Sequence, residues 1–161
     1  MRQDEFEAFV GSEMSRLLGY ARALTGNDHD AWDLVQEALV RIGMKWSRIE
    51  RSGNPVAYTR TTLVRLNIDR LRRGGRERPV ADLPDAAAVS GLPEGVDPWL
   101  ESAFNSLTPR QRTALVLRYV DDLDLAGIAE AMRCSLGTAK SHLSRGLQRL
   151  RELAPEGDTY V

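Results

Sequence analysis

Near the start of the chain, Phe6, Phe9, Val10, Leu17, Leu18, Ala21 and Leu24 recur at spacings of three and four. That spacing lines one face of a helix, and Gly26 follows it as a stop. Leu34, Val35, Ala38, Leu39 and Ile42 repeat the pattern, with Asp28 or Asp30 placed to cap the second helix and Trp46 closing it. The polar stretch "SRIERSGN" (47–54) reads as a loop. Pro55 suits the first turn of a third helix, which runs through Val56, Leu63, Val64, Ile68 and Leu71 to Gly74-Gly75. Further on, Trp99, Leu100, Ala103, Phe104 and Leu107 form a short apolar face. Thr108-Pro109 then supplies a cap and a first-turn proline for a helix carrying Ala114, Leu115, Val116, Leu117 and Tyr119. Leu125, Ile128, Ala129 and Met132 mark a short helix, "RCSLGT" a tight connection, and Leu136, Ala139, Leu143, Leu147 and Leu150 a last apolar stripe. No stretch alternates as a strand would. The pattern predicts an all-α fold: two small helical domains, 1–75 and 99–154, a flexible acidic linker at 76–98, and a tail at 155–161.

The linker stands out by composition. "RERPVADLPDAAAVSGLPEGVDP" has four prolines, small residues and surplus acid. Charge sharpens this boundary. The whole chain is nearly neutral, with 22 Lys/Arg against 23 Asp/Glu. Residues 1–75 hold 12 basic against 10 acidic side chains, 76–97 hold 2 against 5, and 98–161 hold 8 of each. Such a balance argues against indiscriminate binding to nucleic acid and leaves room for local basic faces.

Several classes drop out. Cys134 is the one cysteine, so there is no disulfide framework, which fits a reducing, cytoplasmic setting. The start, "MRQDEFEAFV", lacks the apolar core of a secretory signal. No apolar run approaches the roughly 18 residues of a membrane span. The two histidines, His29 and His142, show no metal-ligand spacing, and no "GxxxxGK" phosphate loop occurs. Catalysis, metals and cofactors are therefore not expected.

"SLGTAKSHLSRGLQRLR" (135–151) has leucines at helical spacing, basic residues between them and no acid. With the apolar stripe turned inward, Thr138, Ser141, His142 and Arg145 share the outer face, flanked by Lys140, Gln148 and Arg149. Ser135 is placed to cap the helix. On charge alone this is equally a solvated basic face. The short helix before it and the capped turn make it the recognition helix of a helix-turn-helix, with short polar side chains entering a major groove and Arg and Lys reaching phosphates or guanine edges. The helix at 55–73 mixes Tyr58, Thr61 and Thr62 with Arg60, Arg65, Arg70, Arg72 and Arg73. Stacking plus positive charge suits unpaired bases, though the same residues also read as a core tyrosine on a helix with a basic outside.

The order of these pieces resembles a bacterial RNA polymerase sigma factor of the extracytoplasmic-function group, the smallest members of the sigma-70 family. "DAWDLVQEALVRIGMKW" (30–46) is similar to the family's core-binding region 2.2. "NPVAYTRTTLVRLNIDRLRR" (54–73) is similar to regions 2.3 and 2.4. "LTPRQRTALVLRY" (107–119) resembles region 4.1, and "IAEAMRCSLGTAKSHLSRGLQRLR" (128–151) region 4.2. The resemblance implies that Asp33, Gln36, Glu37 and Arg41 contact the β′ clamp helices of the core polymerase. It implies that Tyr58, Thr61, Thr62, Arg65, Arg70 and Arg73 melt and read the −10 element, with the 47–54 loop helping to build a pocket for a flipped base. Ser135, Thr138, Lys140, Ser141, His142 and Arg145 would hold the −35 duplex, and a surface around Leu115 and Tyr119 would meet the β flap. Promoter DNA, core polymerase and an anti-sigma factor are the implied partners.

The chain departs from the family pattern at three positions: Tyr58 stands where Trp is usual, Arg65 where Asn is common, and Gly127 where Glu precedes the Ile-Ala of region 4.2. Two other readings compete. One is an ordinary helix-turn-helix regulator, which would leave the basic-aromatic helix without a purpose. The other is a sigma-like decoy that binds polymerase without promoter.

Overall fold

The computed structural model describes residues 2–74 and 97–156. Among them the chain forms α1 (Arg2–Thr25), α2 (Asp28–Met44), α3 (Trp46–Arg51), α4 (Pro55–Gly74), α5 (Pro98–Asn105), α6 (Pro109–Tyr119), α7 (Leu125–Met132) and α8 (Leu136–Leu153), with no strand. The all-α expectation holds. The acidic linker residues Glu77, Asp82, Asp85 and Glu94 lie outside the described residues, as does the tail from 157. Pro98, assigned to the linker by composition, is already the first residue of α5.

Most boundaries follow from local chemistry. Gly26 stops α1 with φ +82°, a left-handed value that glycine adopts freely. Thr108 and Gln111 form a reciprocal capping box on α6, with Pro109 behind the cap. Asp124 caps α7 and Ser135 caps α8, each accepting a backbone N–H three residues on. Two expectations need correction. The cap of α2 is Asn27, whose side chain accepts from the Asp30 N–H at 2.8 Å, while Asp28 and Asp30 lie in the first turn, where their charge suits the helix dipole. The 47–54 stretch is no open loop either. Ile49 is buried with Trp46 and Ile42 under Phe6 and Phe9, and that burial winds Trp46–Arg51 into α3. Only Ser52, Gly53 and Asn54 turn between helices.

α1, α2 and α4 pack together, and so do α6, α7 and α8. The two halves do not stand apart. α1 lies against α6, and α4 against α6 and α7. Leu17, Leu24, Leu34 and Leu63 of the first half share one continuous core with Val116, Leu117, Ile128 and Met132 of the second. A smaller cluster joins Ala103 and Leu107 to Leu115 and Leu150, with Trp99 packed on it. There α8 approaches α6 closely: a Cβ on Gly146 would sit 3.1 Å from a Leu115 methyl.

Arg112 is buried on the seam between the halves. Its guanidinium donates to the Thr25 carbonyl at 3.3 Å and lies against Gly26, where a Cβ would fall 2.5 Å from it. Burial, with Arg22 nearby, lowers its pKa to about 10, which still leaves it charged at neutral pH.

Candidate nucleic-acid and polymerase interface

α8 turns most of the residues expected to read a duplex outward, and one of them has a structural task. Ala139, Gly146 and Leu150 are buried, so Thr138, Lys140 and Arg145 face solvent, with Ser141 and His142 half-buried beside them. Ser135 is spent on structure. Its Oγ accepts the Thr138 N–H at 3.1 Å and donates to the Thr138 hydroxyl at 2.9 Å. Leu136, placed on the inner stripe by its spacing, is 54% exposed. It is the first residue of α8.

Arg110 and Arg133 were not singled out in the sequence, yet the fold brings both beside Thr138 and His142. Arg110 lies on α6, away from α8 in sequence, and no spacing rule connects them. Arg133 carried a signal: it holds the left-handed position, φ 53°, in the turn between α7 and α8, where glycine is usual. Burial, then Arg110 and Arg145, hold the His142 imidazole below its ordinary range. Cys134 is partly buried and lines the same crevice.

α4 presents the second set. Tyr58, at 41% exposure, together with Thr61 and Arg65, forms an open face. The Thr61 and Thr62 hydroxyls donate to carbonyls four residues back, Ala57 at 3.0 Å and Tyr58 at 2.9 Å. That fixes each rotamer and leaves the oxygen free to accept a base N–H. Arg70 does not lie open. It donates to Glu37 of α2 at 3.0 Å, and Arg41 reaches the other Glu37 oxygen at 3.3 Å. One triad therefore ties two residues expected to meet polymerase, Glu37 and Arg41, to one expected to meet DNA. Arg73 turns back to the Asp69 carbonyl at 3.4 Å.

On α2, Gln36 is exposed and Asp33 partly so, the latter 3.4 Å from His29. Trp32, Val40 and Met44 of the same helix also face solvent, Met44 at 82%. These apolar residues were missed, because at helical spacing they read as part of a core. His29, Asp30 and Asp33 bring ligand atoms within 4.8 Å of one another, which spacing had not suggested. Asp30 is also bound by the Asn27 amide at 2.7 Å, so the group serves the start of α2. The apolar surface assigned to Leu115 and Tyr119 is corrected: Leu115 is buried under α8, and Tyr119 is joined in solvent by Val120. Gly127 sits at the third position of α7, its N–H bound by Asp124 at 2.8 Å, so a side chain there is not needed to start the helix. No helix among the described residues is long and apolar enough to cross a membrane.

Comparison with known proteins fits this layout. The sequence model of sigma-70 region 2 matches residues 9–77, and that of sigma-70 region 4 matches 98–150. An RNA polymerase sigma-E factor of Streptomyces avermitilis is 36% identical over 150 residues, 92% of this chain and 84% of that protein. The ECF RNA polymerase sigma factor SigW of Bacillus subtilis is 27% identical, over 93% of this chain and 89% of its own. Among solved structures, the sigma factor RpoE of Bartonella quintana, crystallised in complex with the anti-sigma factor NepR, aligns with a TM-score of 0.61 and 27% identity. That alignment covers 92% of this chain and 96% of the other.

Proposed function

The chain belongs to the extracytoplasmic-function group of the sigma-70 family, and from that premise we propose how its surfaces divide the work. It is a sigma factor: it binds core RNA polymerase and directs initiation at promoters. Residues 1–75 act as region 2 and residues 99–154 as region 4. Thr138, Lys140, Ser141, His142 and Arg145 read the −35 duplex, with Ser135 shaping the helix start. Tyr58, Thr61, Thr62 and Arg65 capture unpaired bases of the −10 element, and binding energy for those bases offsets the few kcal/mol of unstacking. Arg70 and Arg73 stiffen that helix and add charge near the backbone.

The exposed α2 face, Asp33 and Gln36 among Trp32, Val40 and Met44, docks on the β′ clamp helices. Tyr119 and Val120 supply the flap contact. The family is non-enzymatic in general, and nothing in this scheme calls for a cofactor or a step of bond chemistry. It acts in the cytoplasm, where the polymerase is. An anti-sigma factor is a further partner, supported by the likeness to a sigma factor crystallised with one.

The observation that carries this reading is the coexistence, in one chain, of a capped helix-turn-helix and a second helix with exposed aromatic, hydroxyl and basic side chains. Run-off transcription tests it, using a genomic fragment library and bacterial core polymerase with and without the protein. New 5′ ends sharing an upstream −35/−10 pair are expected; failure to bind core at all overturns the reading. Lys140→Ala with Arg145→Ala should lose promoter binding and still co-purify with core. Asp33→Ala with Gln36→Ala should do the reverse.

A further inference from the structure

A crevice of about 430 Å³ lies between the last turns of α4, the start of α6, the end of α7 and the first turns of α8. Its charged lining is Arg72 from α4, Arg110 from α6 and Arg133 from the α7–α8 turn, with Thr138 and His142 of α8 beside them. Arg72 donates to the Arg133 carbonyl at 3.0 Å, a neutral acceptor that leaves its charge uncompensated. Arg133 pairs with Asp69. Arg110 has no hydrogen-bond or ion-pair partner among the described residues.

Asp69 balances one of the three guanidiniums, which leaves two positive charges in excess. The start of α8 adds the positive end of its dipole. His142 reports the same imbalance: burial first, then Arg110 and Arg145, hold its imidazole below the ordinary range. Cations gathered in a recess repel one another, and an anion among them removes the repulsion. Planar guanidiniums suit phosphate in particular, since each can donate two parallel N–H bonds to its oxygens.

The rest of the lining decides what kind of anion fits. Leu71 of α4 is half-buried, and with the remaining exposed edges of Ile68 and Met132 it gives the crevice an apolar wall. A backbone phosphate of DNA lies on the outside of the duplex and needs charge alone. The apolar wall asks for a ligand that also brings a planar or apolar body. The volume falls within the range of small-molecule sites, about 300–1,000 Å³.

We propose that this crevice binds a small phosphorylated ligand with a planar body, of the nucleotide class. Arg72, Arg110 and Arg133 hold its phosphates, and Leu71, Ile68 and Met132 cover the ring system. Thr138, whose hydroxyl accepts from Ser135 and so keeps its proton free, donates to a phosphate oxygen. Arg110 has no protein partner to give up and contributes most. The site stands whether or not α8 reads promoter DNA, although Thr138 and His142 belong to both assignments.

The test uses the full chain at physiological ionic strength, with ADP and GDP as probes and pyrophosphate as the charge without the ring. Calorimetric titration reads affinity, and the Met132 methyl and His142 ring resonances read location. At least one nucleoside diphosphate should bind one to one, about tenfold or more tighter than pyrophosphate because its ring is covered, and should shift both resonances. Arg110→Gln should weaken it by about tenfold or more, since a charge-assisted contact is lost. Arg16→Gln, the same change of charge on the exposed surface of α1, should not. Leu71→Gln should weaken nucleotide and leave pyrophosphate unchanged. The resonance shifts of the wild-type chain keep the test open if a variant fails to fold. Failure of both nucleoside diphosphates to bind overturns the proposal. If the affinity of a random-sequence duplex nonetheless falls with Arg110→Gln, the phosphate belongs to the DNA backbone. Pyrophosphate binding as tightly as nucleotide, or shifts that spare Met132 and His142, overturn it as well.

Discussion

His142 shows how one side chain links fold, charge and binding. The imidazole faces Arg110 from α6 and Arg145 from its own helix, and Arg72, Arg133 and Cys134 line the same crevice. Among the described residues lining that crevice there is no carboxylate. Burial and the two arginines disfavour its protonated form, so its folded pKa lies below that of the unfolded chain. As pH falls below about 6.5, the unfolded state takes up the proton first. Stability contributed by neutral His142 is thus complete above that pH and is lost as pH drops through the window down to the folded value. Duplex phosphate reverses the sign locally, because an anion beside the ring favours the imidazolium. Promoter binding should take up a proton and be a few-fold tighter near pH 6 than near pH 8. His142→Gln should flatten both dependences, measured by urea unfolding and by duplex titration across that range. A wild-type affinity that does not change with pH would mean that phosphate does not come near this ring.

Among the helices, legibility followed how local the cause was. α6 could be read from Thr108-Pro109 and the apolar residues behind it, because its cap and its buried face lie within one short stretch. The capping box there makes a direct prediction. Thr108→Ala removes the acceptor for the Gln111 N–H and should lower stability by about 1 kcal/mol, seen as a lower urea midpoint with unchanged slope. A loss near zero would show that α6 is held by packing alone. α3 was not legible: Ile49 sits among charged neighbours and becomes helical only because Trp46, Phe6 and Phe9 are there to cover it. Leu115 misled for a related reason. Its place opposite Gly146 depends on how closely α8 approaches α6, a distance no single-helix pattern contains. Which side of α8 turns outward was legible apart from Leu136, since apolar periodicity fixes it. The Glu37–Arg70 pair and the arrival of Arg110 beside His142 were not, because each joins two helices distant in sequence.

At the scale of the whole chain, two sequence-defined halves share one core. A half of this size standing alone would have a stability of roughly 4–10 kcal/mol. Burying even two or three side chains such as Leu117, Val116 and Ile128 across the seam contributes about 3–9 kcal/mol, before counting buried Arg112 and the Asn67–Thr113 bond. Terms of equal size couple the halves strongly enough that neither should unfold first. Trp46 reports the first half and Trp99 the second, while Trp32 is largely exposed and reports neither core. Two single-tryptophan variants isolate them: Trp32→Phe with Trp99→Phe, and Trp32→Phe with Trp46→Phe. Followed by fluorescence in urea, both should give the midpoint that circular dichroism gives for the same variant, as one cooperative transition requires. Midpoints that separate by probe would mean the seam is weaker than its buried residues imply.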